Sequence, residues 1–290
     1  MKIENRLTMA TKEESQRYVF LYAIQDEILA RLSDLGPSFY LTGGTALSRF
    51  YADHRYSDDV DFFVSEPDVK ISSFVSHIER ILPKRFEINI ARNTPEFGRL
   101  FITDPSFRDA PLKIEVVSEP HHIGDLIQHP MGFFLNNLED MGVNKVTAFE
   151  DRSEIKDIVD LFWITKTLPI DRLIELADMK RIPIKYESLL AINTQGINGR
   201  IVLKKPIDAR EFKNFITATK EAIEKNIQKK TREILSHPEK IENLVRLLLW
   251  DFPLKDRVVD SVSLPVLKRR IPEYLPLPER LALKKMVNSF

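Results

Sequence analysis

Two short segments of the chain combine residues that could hold a nucleotide and a metal ion. The segment 42–45 reads Thr-Gly-Gly-Thr and lies between an apolar stretch and a stretch with helical spacing. Backbone N–H groups at such a helix start point at an anion. Asp59 and Asp61 follow in a predicted strand, where alternation places both carboxylates on one face. Because Mg2+ prefers oxygen ligands and substrate phosphates, the two segments predict a site for a nucleoside triphosphate and its metal.

Each segment also has a simpler interpretation. A Gly-Gly pair forms tight turns that need positive φ, and Asp59 and Asp61 could lie on a solvated strand face. Like charges placed side by side repel, however, unless a cation joins them. Val60 and Phe62 give the strand an apolar opposite face, so we interpret the two carboxylates as metal ligands.

A third acidic residue lies in a later predicted strand, at 112–118. Alternation places Glu115 and Lys113 on one face of that strand. Glu115 could complete the metal site, or act as the base that removes a proton from an attacking hydroxyl. It could instead form a cross-strand pair with a lysine on an exposed face. Both interpretations stay open at this point.

The elements that must position these residues alternate between helix and strand in the first part of the chain. Apolar periodicity predicts a helix over 12–35 that ends at Gly36-Pro37, and Asp208 is the predicted N-cap of a long helix. The other predicted helices are 45–51, 69–82, 136–150 and 153–167. The predicted strands are 38–42, 59–64, 86–92, 99–103 and 112–118. This order predicts an α/β (α+β) fold with two domains, 1–168 and a mostly helical 169–290.

Composition excludes several classes of protein. Hydrophobic residues make up 43% and charged residues 30%, and no apolar run approaches the roughly 20 residues of a membrane helix. Cys is absent, which excludes disulfides, thiolate catalysis and Cys-based zinc sites within this chain. The N-terminal segment is polar and lacks the apolar core of a secretory signal. We therefore predict a cytoplasmic protein that does not enter a membrane.

Charge is distributed unevenly along the chain, although the formal net charge is zero. Residues 1–199 contain 23 Lys and Arg against 31 Asp and Glu, a balance of −8, and residues 200–290 contain 20 against 12, a balance of +8. A carboxylate-rich half beside a basic half suits a polyanionic substrate such as RNA. A basic surface with no partner is equally compatible with these counts.

Three groups of residues, taken together, match the pattern of a known family. They are Gly-Gly-Thr-Ala-Leu at 43–47, Arg-x-Ser-x-Asp-x-Asp at 55–61, and Asn-Lys at 144–145 followed by Arg-x-x-x-Lys-Asp-x-x-Asp-Leu at 152–161. This combination resembles the AbiEii/AbiGii nucleotidyltransferase toxins of the polymerase-β-like nucleotidyltransferase superfamily. The resemblance covers roughly residues 38–165. It implies a nucleotidyltransferase domain with a mixed sheet flanked by helices, followed by a helical, substrate-facing C-terminal domain.

The resemblance implies a role for each matching glycine, threonine and acidic residue. Asp59 and Asp61 would bind one or two Mg2+ ions, with Mn2+ as an alternative. Glu115 lies where the superfamily places a third carboxylate, and its contact with metal stays open. The residues that would hold the β- and γ-phosphates are Gly43, Gly44 and Thr45.

The matching residues of the other segments would complete the site. Lys145 corresponds to a family lysine that contacts the triphosphate, and Asp160 to the acidic residue downstream of it. Asp157 is an adjacent candidate on the same helix face. Arg55 and Ser57 would either hold the loop before the carboxylate pair or touch phosphate.

The resemblance also implies the reaction. A nucleoside monophosphate would pass from an NTP to a hydroxyl acceptor, with the 3′ end of tRNA as the leading acceptor. The protein would be the toxin of a type IV toxin–antitoxin or abortive-infection system and would have a cognate antitoxin. The alternatives are a small-molecule, antibiotic-type nucleotidyltransferase and a non-catalytic nucleotide- or RNA-binding regulator.

Overall fold

The computed structural model describes residues 6–180, 184, 186–192, 199–237, 239–240, 271, 273 and 275–288. The strands are β1 (Leu7–Met9), β2 (Phe39–Thr42), β3 (Val60–Val64), β4 (Glu87–Asn93), β5 (Phe97–Asp104), β6 (Phe107–Ser118), β7 (Ile127–Gln128), β8 (Phe134–Leu135) and β9 (Ile201–Leu203). The helices are α1 (Lys12–Arg31), α2 (Gly43–Phe50), α3 (Ile71–Ile81), α4 (Leu138–Arg152), α5 (Ile155–Ile164), α6 (Ile170–Lys180), α7 (Glu187–Leu190), α8 (Ala209–Leu235) and α9 (Leu277–Asn288).

Seven strands form one mixed sheet in the order β4-β5-β6-β3-β2-β8-β7. The pairs β3–β6 and β2–β8 are parallel, and the remaining pairs of this sheet are antiparallel. The prediction of a mixed α/β fold is confirmed. Strands β3 and β6 carry the two predicted acidic segments, and β2 ends at the glycine turn. Because Thr42 pairs with Asp61 and Asp61 pairs with Glu115, the topology brings these motifs to one place.

One face of this sheet is apolar and packs against helices. Alternate residues of β3 are buried, as the strand pattern predicted, and the Phe62 ring lies 5.1 Å from the Phe74 ring of α3. A Cβ on Gly98 would lie 2.9 Å from Ile71 of the same helix. Asp61 and Phe63, on the other face of β3, are only partly buried, so the candidate site lies on the face opposite α3.

The predicted elements are found with small changes at their ends. Helix α1 begins after Thr11, whose hydroxyl accepts the Glu14 N–H in a capping box, and it ends at Arg31. The predicted extension to residue 35 is wrong, because residues 33–35 form a separate turn of 3-10 helix. Strands β5 and β6 are longer than predicted and form a hairpin. Four short strands, β1, β7, β8 and β9, were not predicted.

The second part of the described chain is mostly helical. Asp208 caps α8 by accepting the Glu211 N–H, which confirms the predicted N-cap. One apolar core includes residues from Tyr18 to Ile227 and thus from both sides of residue 168. The division into domains 1–168 and 169–290 therefore stays a prediction. Within the described ranges, we find no helix that combines the length and the apolar character needed to span a membrane.

Candidate active site

The glycine turn and the acidic segment are in direct contact. Gly43 opens α2 with a φ of +71°, which favours glycine over any other residue. A Cβ at this position would lie 2.5 Å from Asp61 Oδ2, so the glycine also allows the carboxylate to approach the helix start. The Thr45 hydroxyl donates to the backbone carbonyl of Asp59 and ties the helix to the acidic segment.

The position of Asp61 is fixed by strand pairing on both sides. Its register partners are Thr42 in β2 and Glu115 in β6. Burial raises the pKa of Asp61 to about 6, and the negative charges of Asp59 and Glu115 add to the effect. The site thus concentrates negative charge at the start of an anion-binding helix, an arrangement that a cation between carboxylate and phosphate would stabilise.

Glu115 differs from Asp61 because two cations hold it. Arg99 Nε donates to Glu115 Oε1 over 2.7 Å, and Lys113 Nζ lies 3.4 Å from Oε2. The same Lys113 Nζ lies 2.9 Å from Asp59 Oδ2. Glu115 is therefore placed beside the two aspartates, but most of its charge is already balanced by protein groups.

Asp59 and Asp61 fit a divalent cation that completes its coordination with substrate oxygens. Across the described ranges, no cluster of three or more His, Asp, Glu or Cys side chains is arranged to hold an ion by itself. Mg2+ is commonly bound in this way, by one or two carboxylates together with phosphate oxygens and water.

The opposite wall of the cleft carries Lys145 on α4. Its side chain is 6% exposed, and its Nζ lies 2.7 Å from Asp160 Oδ2 and 3.0 Å from Asp157 Oδ1. Burial alone would lower the pKa of this ammonium, but Asp160 and Asp157 outweigh it and raise the pKa. Lys145 is therefore a fixed positive charge at neutral pH, suited to a triphosphate.

Asp160 is completely buried behind this wall and joins three other side chains. Arg55 donates two hydrogen bonds to it, from Nε to Oδ1 over 2.6 Å and from Nη2 to Oδ2 over 2.8 Å. His54 Nε2 lies 2.7 Å from Oδ1. Although burial would raise the pKa of Asp160, Arg55 and Lys145 hold it well below its ordinary value. This carboxylate orients two cations and does not reach the cleft.

Asp157 forms a second pairing of the same kind. Arg152 Nε donates to Asp157 Oδ2 over 2.7 Å and Arg152 Nη2 to Oδ1 over 2.8 Å. Burial opposes ionisation, but Lys145 and Arg152 lower the pKa of this carboxyl. The wall thus contains three cations, Arg55, Lys145 and Arg152, against two carboxylates. Arg152 Nε also lies 3.8 Å from Glu154 Oε2, so Lys145 and Arg152, which both line the cleft, present partly balanced positive charge to an anion there.

Most of these groups line one open cleft of about 570 Å³, including Gly43, Gly44, Asp59, Asp61 and Lys145. Asp157 and Asp160 lie beneath its surface. The structure therefore brings the predicted residues of the three motif groups together.

Arg55 and Ser57 lie against the start of α2. A Cβ on Gly44 would lie 2.9 Å from Ser57 Oγ, and Arg55 Nη2 would be closer still. The Ser57 N–H donates to Tyr22 Oη over 3.1 Å, which fixes the loop before the acidic segment. Both side chains also line the cleft, so this geometry is compatible with both roles considered for them.

Some residues in or behind the cleft were not identified from sequence, among them the buried His54. His54 had no recognisable motif, and Arg152 was noted only as part of a pattern. Ile201 and Val202 of β9 line the far end, where the Tyr56 N–H donates to the Val202 carbonyl over 2.9 Å. No local signal could reveal that contact, because it joins segments almost 150 residues apart. Lys113, by contrast, could be assigned to the site from sequence, because strand alternation places it on the same face as Glu115.

Comparisons with known proteins identify a family and a fold for this chain. A family described as "Nucleotidyl transferase AbiEii toxin, Type IV TA system" matches residues 27–246. Among solved structures, the chain is similar to JHP933 from Helicobacter pylori, with 18% identity, a TM-score of 0.50, and coverage of 78% of this chain and 98% of that chain. It is also similar to MenT4, a nucleotidyltransferase toxin from Mycobacterium tuberculosis H37Rv, with 16% identity, a TM-score of 0.51, and coverage of 71% and 82%. A search of curated proteins gave no match. At these identities the structural similarities show the fold alone.

Proposed function

The chain belongs to the AbiEii nucleotidyltransferase toxin family, and from this premise we propose that it transfers a nucleoside monophosphate from an NTP to the 3′ end of an RNA. We propose tRNA as the acceptor, Mg2+ as the metal with Mn2+ as a substitute, and the cytoplasm as the place of action. A cognate antitoxin would control the activity. The family assignment confirms the prediction made from the motifs, and the chain is a nucleotidyltransferase.

The observation that carries this proposal is the convergence of an anion-binding turn, a carboxylate pair and a buried lysine on one cleft. Gly43 and Asp61 are in contact across the turn, and Lys145 faces them from α4. A non-catalytic regulator would not need this carboxylate pair beside a phosphate site. Lys113 pairs with Asp59, but Asp61 lies among negative charges that raise its pKa and would repel phosphate in the absence of a cation.

The residues divide the chemistry between them. The amides at the start of α2 and the Lys145 ammonium would bind the β- and γ-phosphates, and Asp59 and Asp61 would hold the cation. When bound, the cation supplies Lewis acidity that favours loss of the acceptor proton and stabilises the leaving pyrophosphate. The acceptor oxygen bonds to the α-phosphorus, the α–β anhydride bond breaks, and the acceptor proton passes to solvent. Asp160 would act as a positioning residue that fixes Lys145.

Glu115 has a defined place in this scheme. Because Arg99 and Lys113 hold its carboxylate, we infer that it keeps Lys113 beside Asp59 when no cation is bound. With a cation held by Asp59 and Asp61, Lys113 would remain beside Glu115 as a further positive charge in the cleft.

The proposal is tested by incubating the purified protein with each labelled NTP, Mg2+ and total tRNA. Wild type should label tRNA, and Asp61→Asn should lose most of that labelling. Asp68→Asn is a matched control, because Asp68 is an exposed aspartate beyond the opposite end of β3. Equal labelling by wild type and Asp61→Asn, or no labelling by wild type with any NTP, would defeat the proposal.

A further inference from the structure

The open face of the large sheet extends away from the acidic residues as a basic row. In strand register, Asp61 lies beside Glu115, Glu115 beside Arg99, and Arg99 beside Arg92. Neighbouring strands are about 4.8 Å apart, so Arg92 lies about 14 Å across the sheet from Asp61. Charge along this row changes from negative at the candidate active site to positive at the sheet edge.

Two aromatic rings of β5 lie on either side of this row. Phe97 is the register partner of Val117, and Phe101 is the register partner of Lys113. Both phenylalanine side chains are half-buried and thus partly exposed to solvent. The guanidinium carbons of Arg92 and Arg99 lie 5.7 Å and 5.1 Å from the centre of the Phe97 ring.

The surface is continuous with the cleft. Val117, Lys113 and Glu115 of β6 all line the cleft, and each has a register partner in β5 on this face. The apolar residues of the same strands point to the opposite face, where α3 packs. Strand β4 at the edge is exposed over most of its length. A ligand lying across β4 and β5 would therefore reach the acidic residues without leaving the protein surface.

We propose that Arg92, Phe97, Arg99 and Phe101, here called the sheet platform, bind the single-stranded end of the acceptor RNA. This inference rests on the proposed function and specifies how the acceptor reaches the site. Bases would stack on the two phenylalanine rings, and the exposed Arg92 guanidinium would bind an intervening phosphate. Arg99, which is paired with Glu115, would contribute mainly the flat surface of its guanidinium. The terminal hydroxyl would then lie next to Asp59 and Asp61.

The chemistry of the platform selects a single strand over a duplex. Stacking on Phe97 and Phe101 requires unpaired bases with exposed faces, which a duplex does not offer. Flat aromatic rings flanked by cations bind single strands with little sequence preference, because every base has a π-face. The platform would thus accept an unpaired RNA end, and other contacts would select the RNA.

The test measures binding of a fluorescein-labelled eight-nucleotide oligouridine by anisotropy, without NTP. Phe97→Leu and Phe101→Leu keep the apolar volume but remove the ring, and each should weaken binding roughly 5- to 100-fold. Arg92→Ala should lower the slope of log affinity against log salt by about 0.7, since one phosphate contact is lost. Phe20→Leu on α1 and Arg80→Ala on α3 alter exposed residues outside the platform and should bind like wild type.

Thermal unfolding of each variant separates loss of fold from loss of binding. If a phenylalanine variant unfolds, the binding of Arg92→Ala tests the inference instead. The Arg92 side chain is exposed on an edge strand, so its removal should leave the fold intact. Wild-type affinity in the platform variants overturns the inference. Failure of the wild type to bind the oligouridine also overturns the inference. The platform would then be a binding surface for a protein partner.

The transfer assay with tRNA distinguishes this inference from the proposed function. Labelling of tRNA that is unchanged in the platform variants would overturn the platform and leave the proposed function intact. Platform-dependent binding without any labelling by the wild type would overturn the proposed function and leave the platform intact.

Discussion

Replacing Asp61 by Asn should inactivate the enzyme and, in the absence of metal, make it more stable. The pKa of this carboxyl is raised from an ordinary value of 3.8 to about 6 by burial, Asp59 and Glu115. A raised acid pKa means that the folded protein binds the proton more tightly than the unfolded chain. The folded state is therefore penalised as the pH rises from 3.8 through 6, and the full penalty is present above pH 6.

The size of the effect follows from these two pKa values. At 1.36 kcal/mol per pKa unit, the difference corresponds to about 3 kcal/mol. Because Asp61 is partly exposed at the cleft, water screens part of this penalty. We therefore expect Asp61→Asn to raise the free energy of unfolding by about 1–2 kcal/mol. In a protein of this size that raises Tm by roughly 2–8 °C.

The assay is thermal unfolding of wild type and Asp61→Asn in EDTA at pH 8 and at pH 4, followed by unfolding in Mg2+. The variant should have the higher Tm at pH 8, and the gap should close towards pH 4, where the wild-type carboxyl is protonated. Mg2+ should raise the Tm of the wild type more than that of the variant. A variant that is no more stable than wild type at pH 8 in EDTA would refute the electrostatic reasoning.

Three further substitutions test other parts of the site. Asp160→Asn should lower the free energy of unfolding by about 3–5 kcal/mol, because it leaves a buried guanidinium without its counter-charge; urea unfolding within 1 kcal/mol of wild type would contradict this. Lys145→Met should lower the single-turnover rate of nucleotidyl transfer about 10²- to 10³-fold, whereas Lys166→Met, at a surface ion pair, should leave the rate unchanged. Gly43→Ala should lower the transfer rate about 10²-fold by displacing the adjacent carboxylate. Gly36→Ala is its control, because Gly36 has a similar φ of +68° with open space around its Cβ position; equal loss of activity in both variants would show that backbone strain alone is responsible.

The parts of the site that sequence could predict are those encoded locally. The glycine turn and the Asp59-x-Asp61 alternation each depend on fewer than ten residues, and backbone geometry determines where their groups point. Lys145 and Asp160 were added through the family pattern. Their physical relation, an ion pair of 2.7 Å inside the protein, was not predicted, because spacing along two helices does not reveal how those helices pack.

The roles of some predicted residues depend on partners that are distant in sequence. Glu115 was considered as a base or a metal ligand, but its contact with Arg99 comes from the register of β5 on β6. That register depends on pairing along the whole hairpin. Similarly, Asp160 was considered together with Lys145, yet Arg55 and His54 reach it from a loop more than 100 residues earlier.

The two-stranded sheet of β1 and β9 determines when the cleft can be completed during translation. Thr8 Oγ1 donates to the Ile201 carbonyl, a contact between residues 193 positions apart. At about 5–20 residues per second, a ribosome needs roughly 10–40 s to proceed from one strand to the other. Until β9 is made, the cleft lacks Ile201 and Val202 from its far end. A growing chain that already carries both aspartates and Lys145 thus still has an incomplete cleft, and the site is completed only once β9 has been made.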